Sequence, residues 1–150
     1  MPWALELSVT GTECIEVAAG ILVDASGRIL LTERLGDSPF AGLWEFPGGK
    51  LHPGETAEAA MRRELAEELG IVVGACERFM DVQHAYAERT VALEFFLVRH
   101  WQGEPAGCDG QALQWRDPQT IKTSELLPAD APVLLALKKQ VAARRNVLAG

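Results

Sequence analysis

GKLHPGETAEAAMRRELAEELGI, residues 49–71, is the stretch whose reading decides this chain. Glu64, Glu67 and Glu68 stand at i, i+3 and i+4, so a helix through them projects their carboxylates from one face. Like charges at that spacing repel, and a cation among them removes the penalty. Hard oxygen ligands suit Mg²⁺ or Mn²⁺. A carboxylate-held divalent ion with no evident nucleophile nearby is chemistry suited to phosphate anhydrides. An isolated ExxEE segment would also read as an ordinary solvated helix face. The longer string carries seven fixed residues and two aliphatic positions, a combination expected by chance in roughly one chain in ten million.

Working outward, Pro53-Gly54-Glu55-Thr56 sets up a helix start with Thr56 as N-cap, and Gly70 ends the helix after Leu69. Ala59, Ala60, Leu65 and Leu69 supply its apolar stripe. Upstream, Cys14–Val23 is a β-branched, apolar strand. Asp24-Ala25-Ser26-Gly27 is a turn, and Arg28–Thr32 returns as a second strand, which predicts a hairpin. A loop with Gly36, Pro39 and Gly42 leads to Leu43-Trp44-Glu45-Phe46. Pro47-Gly48-Gly49 then stops regular structure and lets backbone approach a ligand closely. Downstream, residues 77–84 and 89–100 read as strands joined near Ala85–Glu88, and Leu113–Arg116 as a short strand. Ser124–Leu127 is a turn or short helix, and a terminal helix runs from Ala131 to about Arg144 with Pro132 in its first turn. Strands and helices without regular βαβ alternation predict an α/β fold, an α/β/α sandwich around a mixed β-sheet.

The 150 residues suffice for one domain with a proper core, and 48% hydrophobic with 23% charged residues reads as soluble and globular. No segment has the apolar length of a membrane span, and the first dozen residues lack the basic and apolar regions of a signal peptide. A net charge of −7 with no basic run argues against duplex nucleic acid as a stable partner. It leaves a polyphosphate possible, because bound metal ions reverse the local field. Cys14, Cys76 and Cys108 are odd in number and widely spaced, which predicts free thiols in a reducing cytoplasm.

The string from Gly49 to Ile71 resembles the Nudix box at every specified position. Ala19–Leu22, Leu43–Lys50, Trp101–Pro105 and Leu127–Pro132 resemble the MutT branch of that family, so the likeness spans about Cys14 to Lys139. Residues 1–12 fall outside it as a candidate N-terminal extension. The resemblance implies metal-dependent hydrolysis of a nucleoside triphosphate to monophosphate and pyrophosphate, above all of 8-oxo-dGTP. Within the enzyme class the alternative is a pyrophosphohydrolase for CTP or a modified dCTP. From another class the alternative is a nucleotide-sensing module without catalysis, in which the glutamate set is usually broken; here it is intact.

By the same resemblance Glu64, Glu67 and Glu68 ligate the metal together with the Gly48 carbonyl, and Glu64 is also a candidate general base. Glu55 supports the loop–helix geometry and suits the positive end of the helix dipole. Arg63 reads as an ion-pair partner that orients the box, ahead of the alternative of a substrate ligand. Lys50 is a candidate phosphate contact or a plain surface lysine. Asp109 stands where the MutT pattern usually has glutamate, and reads equally as an auxiliary metal ligand or a loop acid. For the base the pattern points to Arg34, Arg89 and Asp130. The best-known members carry Asn at the position of Asp130, and Pro39 replaces a polar residue. An ionised Asp only accepts hydrogen bonds, whereas a buried, protonated one accepts and donates. Oxidation at C8 turns purine N7 from acceptor to donor, so an acceptor at 130 discriminates in the right direction. His52, His84 and His100 read as surface or strand residues, Tyr86 as an amphipathic loop residue able to stack on a purine, and Trp44 and Trp115 as core aromatics.

Overall fold

A computed structural model describes residues 13–36, 40–87 and 89–149, with side chains to residue 144. Residues 1–12, Pro39 and Glu88, all noted above, lie outside the described residues. The elements in chain order are β1 (Cys14–Leu22), β2 (Ile29–Glu33), β3 (Trp44–Glu45), β4 (Gly48–Lys50), α1 (Ala57–Leu69), β5 (Val72–Val73), β6 (Cys76–Tyr86), β7 (Arg89–Val98), β8 (Trp101–Gln102), β9 (Leu113–Arg116) and α2 (Ala131–Ala149). Short 3₁₀ turns at Pro118–Thr120, Thr123–Glu125 and Pro128–Asp130 connect β9 to α2.

Alternation within the strands explains the layers. In β1 and β7, Ile15, Val17, Ala19, Ile21, Val91, Leu93, Phe95 and Leu97 point to one side and pack with Val133, Leu134 and Leu137 of α2. Ala18, Leu22, Phe96 and Val98 point to the other side, against Ala60, Met61, Leu65 and Leu69 of α1. The four-stranded sheet runs β4-β1-β7-β6, with β1 and β7 parallel and the remaining pairs antiparallel. A second sheet, β3-β2-β9, lends Ile29 and Leu31 to the α2 side and Leu30 to the α1 side. The architecture is the α/β/α sandwich around mixed β-structure that the sequence predicts.

The helix ends follow the sequence. The Thr56 hydroxyl accepts the Ala59 N–H at 3.1 Å, and Gly70 adopts φ 71°, a left-handed conformation suited to glycine. The buried stripe of α1 is Ala60, Met61, Leu65 and Leu69; Ala59, expected inside, is exposed, and Met61 takes that role. Ala59 lies on the far side of the first turn, where an alanine is too short to report its own facing.

The expected β1–β2 hairpin is reduced to a single bridge. The turn forms, with the Asp24 N–H donating to the Arg28 carbonyl at 2.9 Å, but only Val23 and Ile29 bridge. Beyond that bridge β1 pairs with β4 and β7, and β2 pairs with β3 and β9. Both strands are apolar on both faces, so each needs neighbours on either edge, and the turn passes the chain from one sheet to the other. The terminal helix extends to Ala149, beyond the expected end near Arg144. Val72–Val73 and Trp101–Gln102 form an additional short antiparallel pair.

Candidate active site

Strand β4 brings backbone under the helix that carries the glutamates. Gly48 pairs with Ala19, and a Cβ on Gly48 would fall 2.2 Å from the Ala18 carbonyl oxygen, so only glycine allows this approach. Gly49 lies directly beneath Glu64: a Cβ there would fall 2.2 Å from the carboxyl carbon. Glu64 thus rests on a bare stretch of main chain.

Arg63 organises the surrounding charges. Its Nε and Nη2 donate to the two Glu55 carboxylate oxygens at 2.9 Å each, and Nη2 also donates to the Lys50 carbonyl at 2.9 Å. Nη1 donates to Glu64 at 3.0 Å and to Glu67 at 3.5 Å. Glu55 also accepts the His52 N–H at 2.9 Å. These bonds, led by that from Arg63, hold the Glu55 acid down at about 2, and Arg63 is raised in return. The guanidinium therefore spends its donors inside the protein, on both the loop before α1 and the acids of α1.

The three glutamates occupy different environments. The Glu67 side chain is 61% exposed and that of Glu64 15%. Glu68 turns into a narrow cleft lined also by Thr32, Arg34, Glu45, Asp109 and Gln111. Burial, followed by the negative charges of Glu64, Glu45 and Asp109, pushes its acid up to about 8. In this conformation no three His, Cys, Asp or Glu side chains among the described residues converge closely enough to enclose an ion; Arg63 engages two of the acids instead. The donor set itself fits a hard divalent cation: the acids are all oxygen donors, and their mutual repulsion at Glu68 is relieved by positive charge.

Tertiary packing builds a second, buried cluster beside the cleft. The Leu127 N–H donates to the Trp44 carbonyl at 3.0 Å, docking the turn before α2 on β3. Asp130, 4% exposed, consequently accepts the Phe46 N–H at 3.2 Å. Arg34, 3% exposed, follows β2 and donates through Nη1 to both oxygens of Glu45 at 3.2 Å. Burial raises the Asp130 and Glu45 acids; Glu45 reinforces the shift at Asp130, and Arg34 opposes it at both. The Tyr86 phenol, pushed up to about 12 by burial and then by Asp130, faces the same group, and Phe40 meets its ring edge-on at 5.6 Å. Arg89, 7% exposed, stands opposite Tyr86 across β6 and β7.

The structure therefore brings Arg34, Glu68 and Asp109 into one cleft, with Asp130 behind it. Lys50 lines a separate depression with Glu13, Cys14, Glu16 and Leu51. Glu45 and Gln111 were not singled out from sequence. Glu45 carries a signal in the sequence, as an acid between the aromatic residues Trp44 and Phe46. Trp115 stacks on Trp101 at 5.9 Å and, like Trp44, is partly buried against the core. The histidines make no part of the cleft, and the three cysteines are free thiols.

Residues 15–137 match the NUDIX domain. The chain is 42% identical to the 8-oxo-dGTP diphosphatase of Haemophilus influenzae, over 80% of this chain and 88% of that protein. It is 40% identical to the CTP pyrophosphohydrolase of Escherichia coli, over 87% of this chain and 96% of that one. Among solved structures, the solution structure of the E. coli ORF135 protein superposes with a TM-score of 0.77 at 39% identity, covering 89% of this chain and 94% of that one.

Proposed function

Because this chain belongs to the Nudix hydrolase family, we propose that it is a pyrophosphohydrolase converting nucleoside triphosphates to monophosphate and pyrophosphate, with 8-oxo-dGTP as its principal substrate. The observation that carries the reaction is the intact glutamate set on one capped helix, braced by Arg63 against Glu55 and the Lys50 carbonyl. Glu64, Glu67, Glu68 and the Gly48 carbonyl would hold Mg²⁺ or Mn²⁺, with Asp109 as auxiliary ligand. Such an ion supplies charge neutralisation at the phosphates and a lowered water pKa.

The chain's own residues do the rest. Arg63 and Glu55 hold α1 and the preceding loop in register, so that the acids meet the polyphosphate pre-positioned. Glu64, which lies against Gly49 and pairs with Arg63, is the candidate general base for the attacking water as well as a candidate ligand. Lys50, on the strand of Gly48 and Gly49, stays the candidate phosphate contact although it lines a depression separate from the Glu68 cleft. The whole chain acts as one domain, in the cytoplasm, on a soluble nucleotide and without stable nucleic-acid binding. The net charge of −7 and the free thiols support that setting.

Arg34, Arg89 and Asp130 are the base-reading residues in this reading. Burial that raises the Asp130 acid supports a protonated carboxyl, which accepts from N7–H of the oxidised purine and donates to its O6 edge. Loss of one such matched partner costs about 1–3 kcal/mol, roughly one to two decades in selectivity. The 40% identity to a CTP pyrophosphohydrolase favours a second reading, in which the same acid serves a cytosine nucleotide. Steady-state release of pyrophosphate from 8-oxo-dGTP, dGTP and CTP with Mg²⁺ separates them. We expect the highest kcat/KM for 8-oxo-dGTP; equal values for 8-oxo-dGTP and dGTP would remove the sanitising role and leave the hydrolase.

A further inference from the structure

The loop between β8 and β9 is built onto the end of the helix that carries the glutamates, and one side chain joins the two. A helix ends with carbonyls that have no partner inside it. In α1 the Gly70 N–H serves the Ala66 carbonyl, the Ala106 N–H serves that of Leu69 at 3.0 Å, and the Cys108 N–H serves that of Glu68 at 3.0 Å. Gln111, 9% exposed, adds a bond of different character. Its Nε2 donates to the same Glu68 carbonyl at 3.2 Å, while its Oε1 accepts the Asp109 N–H at 2.9 Å.

The loop is shaped to place that amide. The Gly110 N–H donates to the Gly107 carbonyl at 3.0 Å, closing a turn around Cys108 and Asp109. A Cβ on Gly107 would fall 2.1 Å from the Gln111 carbonyl oxygen, so the turn can fold back on Gln111 only with glycine there. Gln111 and Asp109 both line the cleft that holds Glu68. Among side chains of this length, an amide alone offers the donor and the acceptor required. A glutamate could accept from Asp109 but could not donate to Glu68, and it would add charge to an acidic cleft.

We infer that Gln111 is a positioning residue that holds the Asp109 carboxylate in register with Glu68 for binding a divalent cation. This rests on the reading of Asp109 as an auxiliary metal ligand. Groups that orient metal ligands typically change ion affinity by about ten- to a hundredfold when removed.

The test is Mn²⁺ binding to the full-length protein without nucleotide, followed by electron paramagnetic resonance, for wild type, Asp109→Ala, Gln111→Met, Gln111→Glu and the Asp109→Ala/Gln111→Met double variant. Circular dichroism and thermal melting accompany each protein. Gln111→Met should weaken Mn²⁺ binding about tenfold, and Asp109→Ala at least as much. The double variant should be no weaker than Asp109→Ala alone, because Gln111 acts through Asp109. In turnover, Gln111→Met should raise the Mg²⁺ concentration for half-maximal rate and leave the nucleotide KM at saturating Mg²⁺ unchanged. Gln111→Glu should not restore wild-type ion affinity. Wild-type Mn²⁺ affinity in Gln111→Met, with Asp109→Ala weakened, overturns the positioning role. Wild-type affinity in Asp109→Ala overturns the ligand reading beneath it, and the inference with it. Additive losses in the double variant would show that Gln111 acts on the helix alone, which also overturns it.

Discussion

Two adjacent glycines show how closely chemistry and packing are divided at single residues. A methyl group on Gly48 would meet the backbone of Ala18 and Ala19, which cannot give way. One on Gly49 would meet first the carboxylate of Glu64, the far end of a flexible side chain. Gly48→Ala should therefore destabilise the fold, by about 1–3 kcal/mol as for other overpacked sites, seen in denaturant unfolding. Gly49→Ala should leave the unfolding midpoint nearly unchanged while lowering kcat about a hundredfold, the cost expected when a reacting group is displaced by an ångström. Equal effects of the two substitutions on stability would show that Glu64 cannot move aside. Glu67, mostly exposed, provides the complementary case. Glu67→Gln should cost under about 0.5 kcal/mol of stability yet remove most Mg²⁺-dependent turnover, and a fully active variant would refute its assignment to the metal.

Among the elements, α1 matters most, because its caps and its charges serve the same geometry. Thr56→Ala removes the side-chain acceptor for the Ala59 N–H and should cost about 1 kcal/mol. The ion pair just beyond the cap has a pH signature. The Glu55 acid is held at about 2 by Arg63 and the His52 N–H. A depressed carboxyl contributes stability that is complete above the ordinary carboxylate range and is lost as pH falls toward the depressed value. The melting-temperature difference between wild type and Glu55→Gln should accordingly be constant from pH 7 to 5 and shrink between pH 5 and 2. A difference that stays flat to pH 2 would mean the pair contributes nothing to folding. The strands carry a separate lesson. The apolar runs of β1 and β2 were legible as strands, but their pairing was not, since two strands joined by a short turn ordinarily pair with each other. Both are buried on two faces, and the partners that complete them come from residues up to Val98 and Arg116.

Across the whole molecule, the buried acids in and behind the cleft should govern how stability varies with pH. Asp130 and Glu45 are both raised, chiefly by burial. A raised carboxyl has the opposite sign to Glu55: its stabilising protonated form is complete at low pH and is lost as pH rises through the raised value. Asp130→Asn keeps an acceptor for the Phe46 N–H and removes the ionisation. The variant should melt higher than wild type at pH 8, and the difference should shrink as pH falls toward the ordinary carboxylate value of 3.8. A variant less stable across that range would show that the carboxyl group is needed as such. The same substitution in the triphosphate panel tests whether the protonated acid and an amide read the base alike. If they do, the ratio of kcat/KM for 8-oxo-dGTP over dGTP changes by less than tenfold.

The sequence by itself determined the glutamate-bearing helix, its two caps, the glutamate spacing and the family, because these depend on residues within a few turns of one another. Arg63 was legible as an orienting ion pair for the same reason, since Glu55 and Glu64 lie close to it in the chain. Arg34, Arg89 and Asp130, the candidate base readers, were legible only as three separate positions. The tertiary fold joined Arg34 to Glu45 and set Asp130 against the Phe46 N–H, a contact spanning 84 residues that depends on the docking of the last turn onto β3. It also decided that Glu68 rather than Glu67 turns into the cleft, and that Gln111 reaches back to the helix end. Local periodicity records which residues share a face; burial, and with it protonation, depends on what distant segments bring to cover that face.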